Sequence, residues 1–315
     1  MTVLSGFLPI WAVTAVGWAA GRFDVLGKQA QSVLGRFAFA FAMPALLFLT
    51  LARADVSRLA TPGVAVFAAS VLIVFALGLL LGRRVFRRSP ADRAIGAMAG
   101  SYVNSANLGI PVAVHVLDDA SFMIAAALFQ TLFVTPLILV LIDLDAGGSA
   151  PRDRWRRVLR LPLRNPIIAA SAAGITMALL DVRLPPEVSE PLGMLGGAAV
   201  PAALFALGMS LDVRTTRTVG KEGRRPPGQR ADRRVPVALK TVVQPLLAYV
   251  LARWGFGLHG DDLFAVVLCA GLPTAQNAFV FASEYRLDTD LARDTVLLST
   301  FVSMGSLSLI TWLLA

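Results

Sequence analysis

The chain has 315 residues, 56% hydrophobic and 16% charged, and its apolar residues fall in long runs separated by short polar or basic segments. Runs of roughly 20 are the pattern of a polytopic membrane protein, which excludes a soluble domain built on one core. The net charge of +9 lies almost wholly in the connections, which excludes a nucleic-acid-binding face, and the single cysteine, Cys269, excludes an intramolecular disulfide.

In chain order, ten spans are predicted, at 3–21, 29–51, 62–82, 94–117, 120–142, 165–181, 188–211, 236–256, 262–284 and 292–314. No basic segment precedes the run from Val3, so it reads as the first span and not as a cleaved leader. Lys and Arg in, and at the edges of, the connections after spans 1, 3, 5, 7 and 9 number 23, against four after spans 2, 4, 6 and 8. Basic connections stay in the cytoplasm. The expected protein is therefore a multi-pass plasma-membrane protein with both termini outside. The connection at 152–164 sets Trp155, Val158, Leu159 and Leu161 among arginines and reads as an amphipathic helix on the inner leaflet. Arg214–Arg234, rich in Gly, Pro and like charge, reads as a flexible cytoplasmic loop. Arg36 and Lys240 enter their spans from the inside and are expected to snorkel back to the headgroups.

The sequence repeats itself. Pro9, Ile10, Ala12, Gly17, Asp24 and Val25 match Pro166, Ile167, Ala169, Gly174, Asp181 and Val182 at an offset of 157, and the same offset lays P-A-L-L-F from Pro44 on P-A-A-L-F from Pro201 and Asp55 on Asp212. Each half holds five spans, an odd number, so the halves insert with opposite orientation. The fold class is an all-α membrane protein of ten transmembrane helices arranged as two inverted five-helix repeats, residues 1–143 and 165–315, joined by the basic connection 144–164.

Two spans are interrupted. In span 4, S-Y-V-N-S-A-N-L-G-I-P (Ser101–Pro111) puts Asn104 about 15 Å of helical rise from the basic loop ending at Arg93, near the middle of a hydrocarbon core about 30 Å thick. In span 9, C-A-G-L-P-T-A-Q-N sets Pro273 at a similar depth from the other side. Broken backbone at that depth must be covered by protein or line a cavity, and interruptions paired between two halves point to a transporter's binding site. Gly109, Pro111 and Pro273 mark the breaks, Pro111 suiting the first turn of a new half-helix. Asn104, Asn107, Gln276 and Asn277 supply amides, and half-helix N-termini carry unpaired N–H groups and partial positive charge. A small organic anion is the expected substrate. His115, one turn beyond Pro111, is a candidate for proton coupling. Gln130, Thr131 and Thr135 in span 5 either border the site or bond between helices; Glu284 and Tyr285 read as interfacial anchors. With two histidines in the chain and no His-Glu-x-x-His or Gly-x-Ser-x-Gly, neither an enzyme, a cofactor nor a metal site is expected.

N-x-x-x-L-G-I-P from Asn104 and G-L-P-x-x-x-x-x-F-V-F-A-S-E-Y from Gly271 resemble the auxin efflux carrier family, which includes bacterial carriers and the plant auxin exporters, and the likeness runs over essentially the whole chain. Asn104, Gly109, Pro111 and Pro273 match its pattern best. The resemblance implies a scaffold domain of spans 1, 2, 6 and 7, a transport domain of spans 3–5 and 8–10, spans 4 and 9 crossing at their breaks, elevator-type movement and a homodimer. Two departures stand out: the long loop of many plant members is absent, and span 3 (Pro62–Gly82) carries no ionisable residue. The expected function is secondary transport of a carboxylate; the alternative is a sodium-coupled symporter of the bile-acid type. A receptor that binds the same ligand without flux is the third reading.

Overall fold

The computed structural model describes residues 2–27, 29–53, 61–117, 119, 121–146, 166–180, 182, 184–211 and 229–314. Among them the chain is all-helical, and its only β feature is a single antiparallel bridge between Val103 and Thr274. In chain order the helices are α1 (Thr2–Arg22), α2 (Ala30–Ala52), α3 (Pro62–Arg84), α4 (Pro90–Ser101), α5 (Ile110–Val116), α6 (Ser121–Asp143), α7 (Pro166–Leu179), α8 (Pro186–Met209), α9 (Arg233–Gly255), α10 (Gly260–Gly271), α11 (Asn277–Glu284) and α12 (Thr289–Leu314). Six of these, α2, α3, α6, α8, α9 and α12, are long and apolar enough to cross a membrane. The expected spans 94–117 and 262–284 are each divided, into α4 with α5 and α10 with α11. The chain is a multi-pass membrane protein.

The expected surface helix at 152–164 and the Asp55/Asp212 pair lie outside the described residues. The loop expected through Arg234 ends earlier than that: helix begins at Gln229 and runs into α9. Arg233 supplies a reason, pairing with Asp290 at 3.4 Å and with Asp294, both on α12, so the like charges at the end of this connection meet carboxylates.

Proline shapes the long helices through a recurring device. Of five wide turns with i→i+5 bonding among the described residues, four, at Ala38–Ala42, Ser105–Gly109, Gln130–Val134 and Leu239–Val243, have proline as the second residue past them, Pro44, Pro111, Pro136 and Pro245; the fifth, Leu251–Gly255, has none. A proline inside a helix offers no N–H, and its ring clashes with the carbonyl four residues back. In all four cases that carbonyl belongs to the wide turn, which bends it out of the way. The local cost of a proline is thus met by the turn before it, and the helix continues.

Tight backbone contacts fix the helix pairs. A Cβ on Gly17 of α1 would lie 2.3 Å from the Phe205 carbonyl oxygen of α8, and one on Gly208 of α8 would lie 2.1 Å from the Thr14 oxygen of α1. A Cβ on Gly174 of α7 would lie 2.6 Å from the Phe48 oxygen of α2. Gly17 and Gly174 are 157 residues apart, and so are Phe48 and Phe205. The α1–α8 and α7–α2 contacts are therefore one contact made twice, at the spacing of the sequence repeat. Between apolar helices in lipid, close approach of small residues is what holds the pair, because burial of apolar surface no longer distinguishes partner from solvent.

Gly17→Ala and Gly208→Ala should each lower the thermal unfolding midpoint of the purified protein by several degrees, since neither carbonyl is a flexible side-chain tip and overpacking costs roughly 1–3 kcal/mol. Gly193→Ala, where a Cβ meets nothing within 4 Å, should leave the midpoint unchanged or raise it.

Candidate functional site

The second break follows from local chemistry. Pro273 disfavours helical backbone at the residue before it, and Leu272 is accordingly extended, at φ −60° and ψ 151°. The helix resumes at Asn277. The first break, Tyr102–Asn104, contains no proline, and Tyr102 is extended at φ −77° and ψ 119°. What holds it open comes from elsewhere in the fold. Asn104 N donates to the Pro273 carbonyl at 2.9 Å, and Ala275 N donates to the Tyr102 carbonyl at 3.2 Å. These two bonds flank the Val103–Thr274 bridge, so each interruption satisfies backbone groups of the other. On its far side Val103 is held by Gln130 of α6: Val103 N donates to Gln130 Oε1 at 2.7 Å, and Gln130 Nε2 donates to the Val103 carbonyl at 3.0 Å and to Ser105 Oγ at 2.9 Å. One side-chain amide thus does for Val103 what a neighbouring strand would do.

Beside the paired breaks lies a cavity of about 60 Å³, enough for roughly four waters. Asn104 and Asn107 of the first break, and Gln276 and Asn277 about 170 residues further on, all line it, together with Tyr102, Gln130, Thr131 and Thr135. Asn104 and Gln276 are buried, Asn107 and Asn277 half-buried. Asn104 Oδ1 is buried with no partner among the described residues. The Tyr102 hydroxyl shares a 2.8 Å hydrogen bond with Thr135 Oγ1. The opposite wall is apolar: Met43, Leu46 and Leu47 of α2, and Ala199 and Val200 of α8. Both new helical segments start at the cavity, one at Ser105 and one at Asn277.

The remaining residues singled out in the sequence take other places. Pro273 is buried in the break itself and supplies the carbonyl that Asn104 binds. Gly109 and Pro111 stand downstream of the first break. A Cβ on Gly109 would lie 2.7 Å from Leu272 Cδ1, so its bareness admits the second break rather than making the first. Pro111 is the second residue of α5, not part of the first turn after the interruption: the wide turn Ser105–Gly109 comes between. His115 lies on α5, and its side chain is outside the described set. Tyr285 sits edge-on to the buried Phe39, ring centres 5.8 Å apart.

The carbonyl ends of the half-helices are closed off from within. Thr274 Oγ1 donates to Ala99 O at 2.6 Å and Gln244 Nε2 to Ser101 O at 3.0 Å, at the end of α4. Ser303 Oγ donates to Gly271 O at 3.1 Å and Lys240 Nζ to Ala270 O at 2.7 Å, at the end of α10. Lys240 therefore does not snorkel. It is 0% exposed, because the Ala270 carbonyl at the end of α10 and the Gln244 side chain offer oxygen acceptors closer than the headgroups. Sequence reasoning named this residue but missed its role; the available signal was its spacing from an amide and a proline, K-x-x-x-Q-P.

A helical membrane protein in which two interrupted helices satisfy each other beside a cavity lined by four side-chain amides is a membrane transporter. The chain belongs to the family described as "Membrane transport protein", that of the auxin efflux carriers, which matches residues 2–311. It is similar to the "Putative malonate transporter" of Rhizobium meliloti, 26% identical over 315 residues covering 98% of this chain and 94% of that one. It is also similar to an "Uncharacterized transporter" of Methanothermobacter thermautotrophicus, 29% identical over 316 residues covering 96% and 95%. "Auxin efflux carrier component 1" of Arabidopsis thaliana is 26% identical over 178 residues, 55% of this chain and 25% of that one. The family consists of membrane transporters, and the chain is not an enzyme.

Gln130→Leu leaves the N–H and C=O of Val103 buried without that partner, at about 1–3 kcal/mol for each group. Its unfolding midpoint should fall well below that of wild type, and Gln130→Glu, which keeps the acceptor and loses the donors, should fall between the two.

Proposed function

We infer that this chain is a secondary carrier of small organic anions, with a mono- or dicarboxylate bound at midmembrane where the two breaks meet. The observation that carries this reading is the convergence of four amides and two helix starts on one cavity. A helix start presents unpaired N–H groups and partial positive charge, and a carboxylate accepts from both these and from amides. The Asn104 amide can turn its NH2 toward such a guest, since the orientation of an amide follows its partners. Asn107, Gln276 and Asn277 complete the ring of donors, and His115 is the candidate proton-coupling group. The similarity to a protein named as a malonate transporter makes malonate the first substrate to try.

The architecture we propose is ten spans in two inverted repeats, 1–143 and 165–315, joined by 144–164, in the plasma membrane with both termini outside. The duplicated glycine contact at spacing 157 supports it. So does the cavity wall, where Met43 and Val200 are also 157 residues apart. In this architecture spans 1, 2, 6 and 7 form a scaffold and spans 3–5 and 8–10 a transport domain. The apolar side of the cavity then belongs to the scaffold and the polar side to the transport domain. An apolar wall facing the amide-bearing segments allows those segments to slide along it, which is the elevator movement, in a chain that works as a homodimer.

The test is uptake of labelled malonate, and of other mono- and dicarboxylates in competition with it, by proteoliposomes. Asn104→Ala should reduce uptake about tenfold or more, the value of a hydrogen bond to a charged group, with an unfolding midpoint close to wild type. A variant that transports at the wild-type rate removes Asn104 from the site; binding of carboxylates without any flux makes the protein a receptor instead.

A further inference from the structure

Lys240 has no place in the anion site, and its surroundings assign it a different task. Its Nζ donates at 2.7 Å to the Ala270 carbonyl, at the end of α10, and at 2.7 Å to Gln244 Oε1. Gln244 passes the contact on, its Nε2 donating at 3.0 Å to the Ser101 carbonyl at the end of α4. The side chain is wholly buried, and among the described residues it makes no ion pair with a carboxylate. The counter-charge is therefore the backbone itself. Each helix C-terminus carries about half a negative charge, and two such ends together match one ammonium. A buried cation without that compensation would be far too costly to keep.

In carriers built on paired broken helices, the freed carbonyls and half-helix C-termini are where a coupling cation binds. We propose that the Lys240 ammonium is a resident, tethered cation in that position. It replaces an exchangeable monovalent cation, so wild-type transport runs without sodium, and cutting the side chain back opens a sodium site made of the Ala270 carbonyl, Gln244 Oε1 and neighbouring carbonyls at the helix ends. This rests on the carrier reading for its meaning but not for its test, because the measurement needs no substrate.

The experiment is thermal unfolding of purified full-length protein in sodium chloride against choline chloride at equal ionic strength. The wild-type midpoint should be the same in both. Lys240→Ser, which leaves a void with oxygen ligands around it, should unfold at lower temperature in choline and recover by roughly 3 °C or more in sodium. Lys240→Met, which fills the same space with an apolar chain, should be destabilised equally in both salts. Sodium raising the wild-type midpoint overturns the proposal and restores the sodium-coupled alternative. So does the lack of any recovery of Lys240→Ser in sodium, whether seen as an unresponsive midpoint or as failure to purify in either salt. Failure of uptake for malonate and for every other mono- and dicarboxylate tried, while the sodium response appears, leaves the resident cation standing and sinks the carrier reading, and the reverse outcome separates them equally.

Discussion

Two backbone hydrogen bonds, Asn104 N to Pro273 O and Ala275 N to Tyr102 O, are what the rest of the molecule depends on. In the middle of a bilayer no water is at hand to satisfy an interrupted helix, so a lone break would leave several buried N–H and C=O groups unpaired. Two breaks set against each other remove the problem at the strands and leave only the helix ends. The cavity exists because those ends cannot all be paired without filling the space between them. Gln130 belongs to the same solution, since it takes the remaining face of Val103.

The ends are treated unequally. Carbonyl ends receive Thr274, Gln244, Ser303 and Lys240, all buried donors. Amide ends, at Ser105 and Asn277, open on the cavity with Asn104, Asn107 and Gln276 beside them. Positive partial charge is thus exposed to a guest while negative partial charge is neutralised by the protein. Among the described residues no basic side chain lines the cavity.

The wide turns connect this chemistry to the helix scaffold. Gln130 and Lys240, the two residues that service the breaks from neighbouring helices, both lie in wide turns placed ahead of a proline. Such turns loosen the regular spacing of side chains and aim one residue off the helix's own face. Away from the breaks, Gly17, Gly174 and Gly208 bring helices into backbone contact.

Much of this was legible in the sequence. Apolar runs gave the membrane class, and Pro273 with its preceding glycine and leucine gave the second break, because a proline's effect on its neighbours is local. The four amides stood out in the sequence by their improbable depth, since polar groups in a span demand a reason, and the fold sets all four on one cavity. The offset of 157 came from residues whose spatial counterpart is a repeated glycine contact. Long-range partnership was another matter. The first break has no proline of its own, so its position at Tyr102–Asn104, ahead of Gly109 and Pro111, is set by pairing with a segment about 170 residues away and by Gln130. The helical end of the long connection was hidden for the same reason, Arg233 being ordered by carboxylates on α12. Lys240 reads from the sequence as a charge that should retreat to the headgroups; only tertiary packing brings the Ala270 carbonyl oxygen of another helix within 2.7 Å of it. Composition and spacing determined which groups must be satisfied inside the membrane, and the tertiary structure decided by which partners, because a hydrogen bond is local in space and not in sequence.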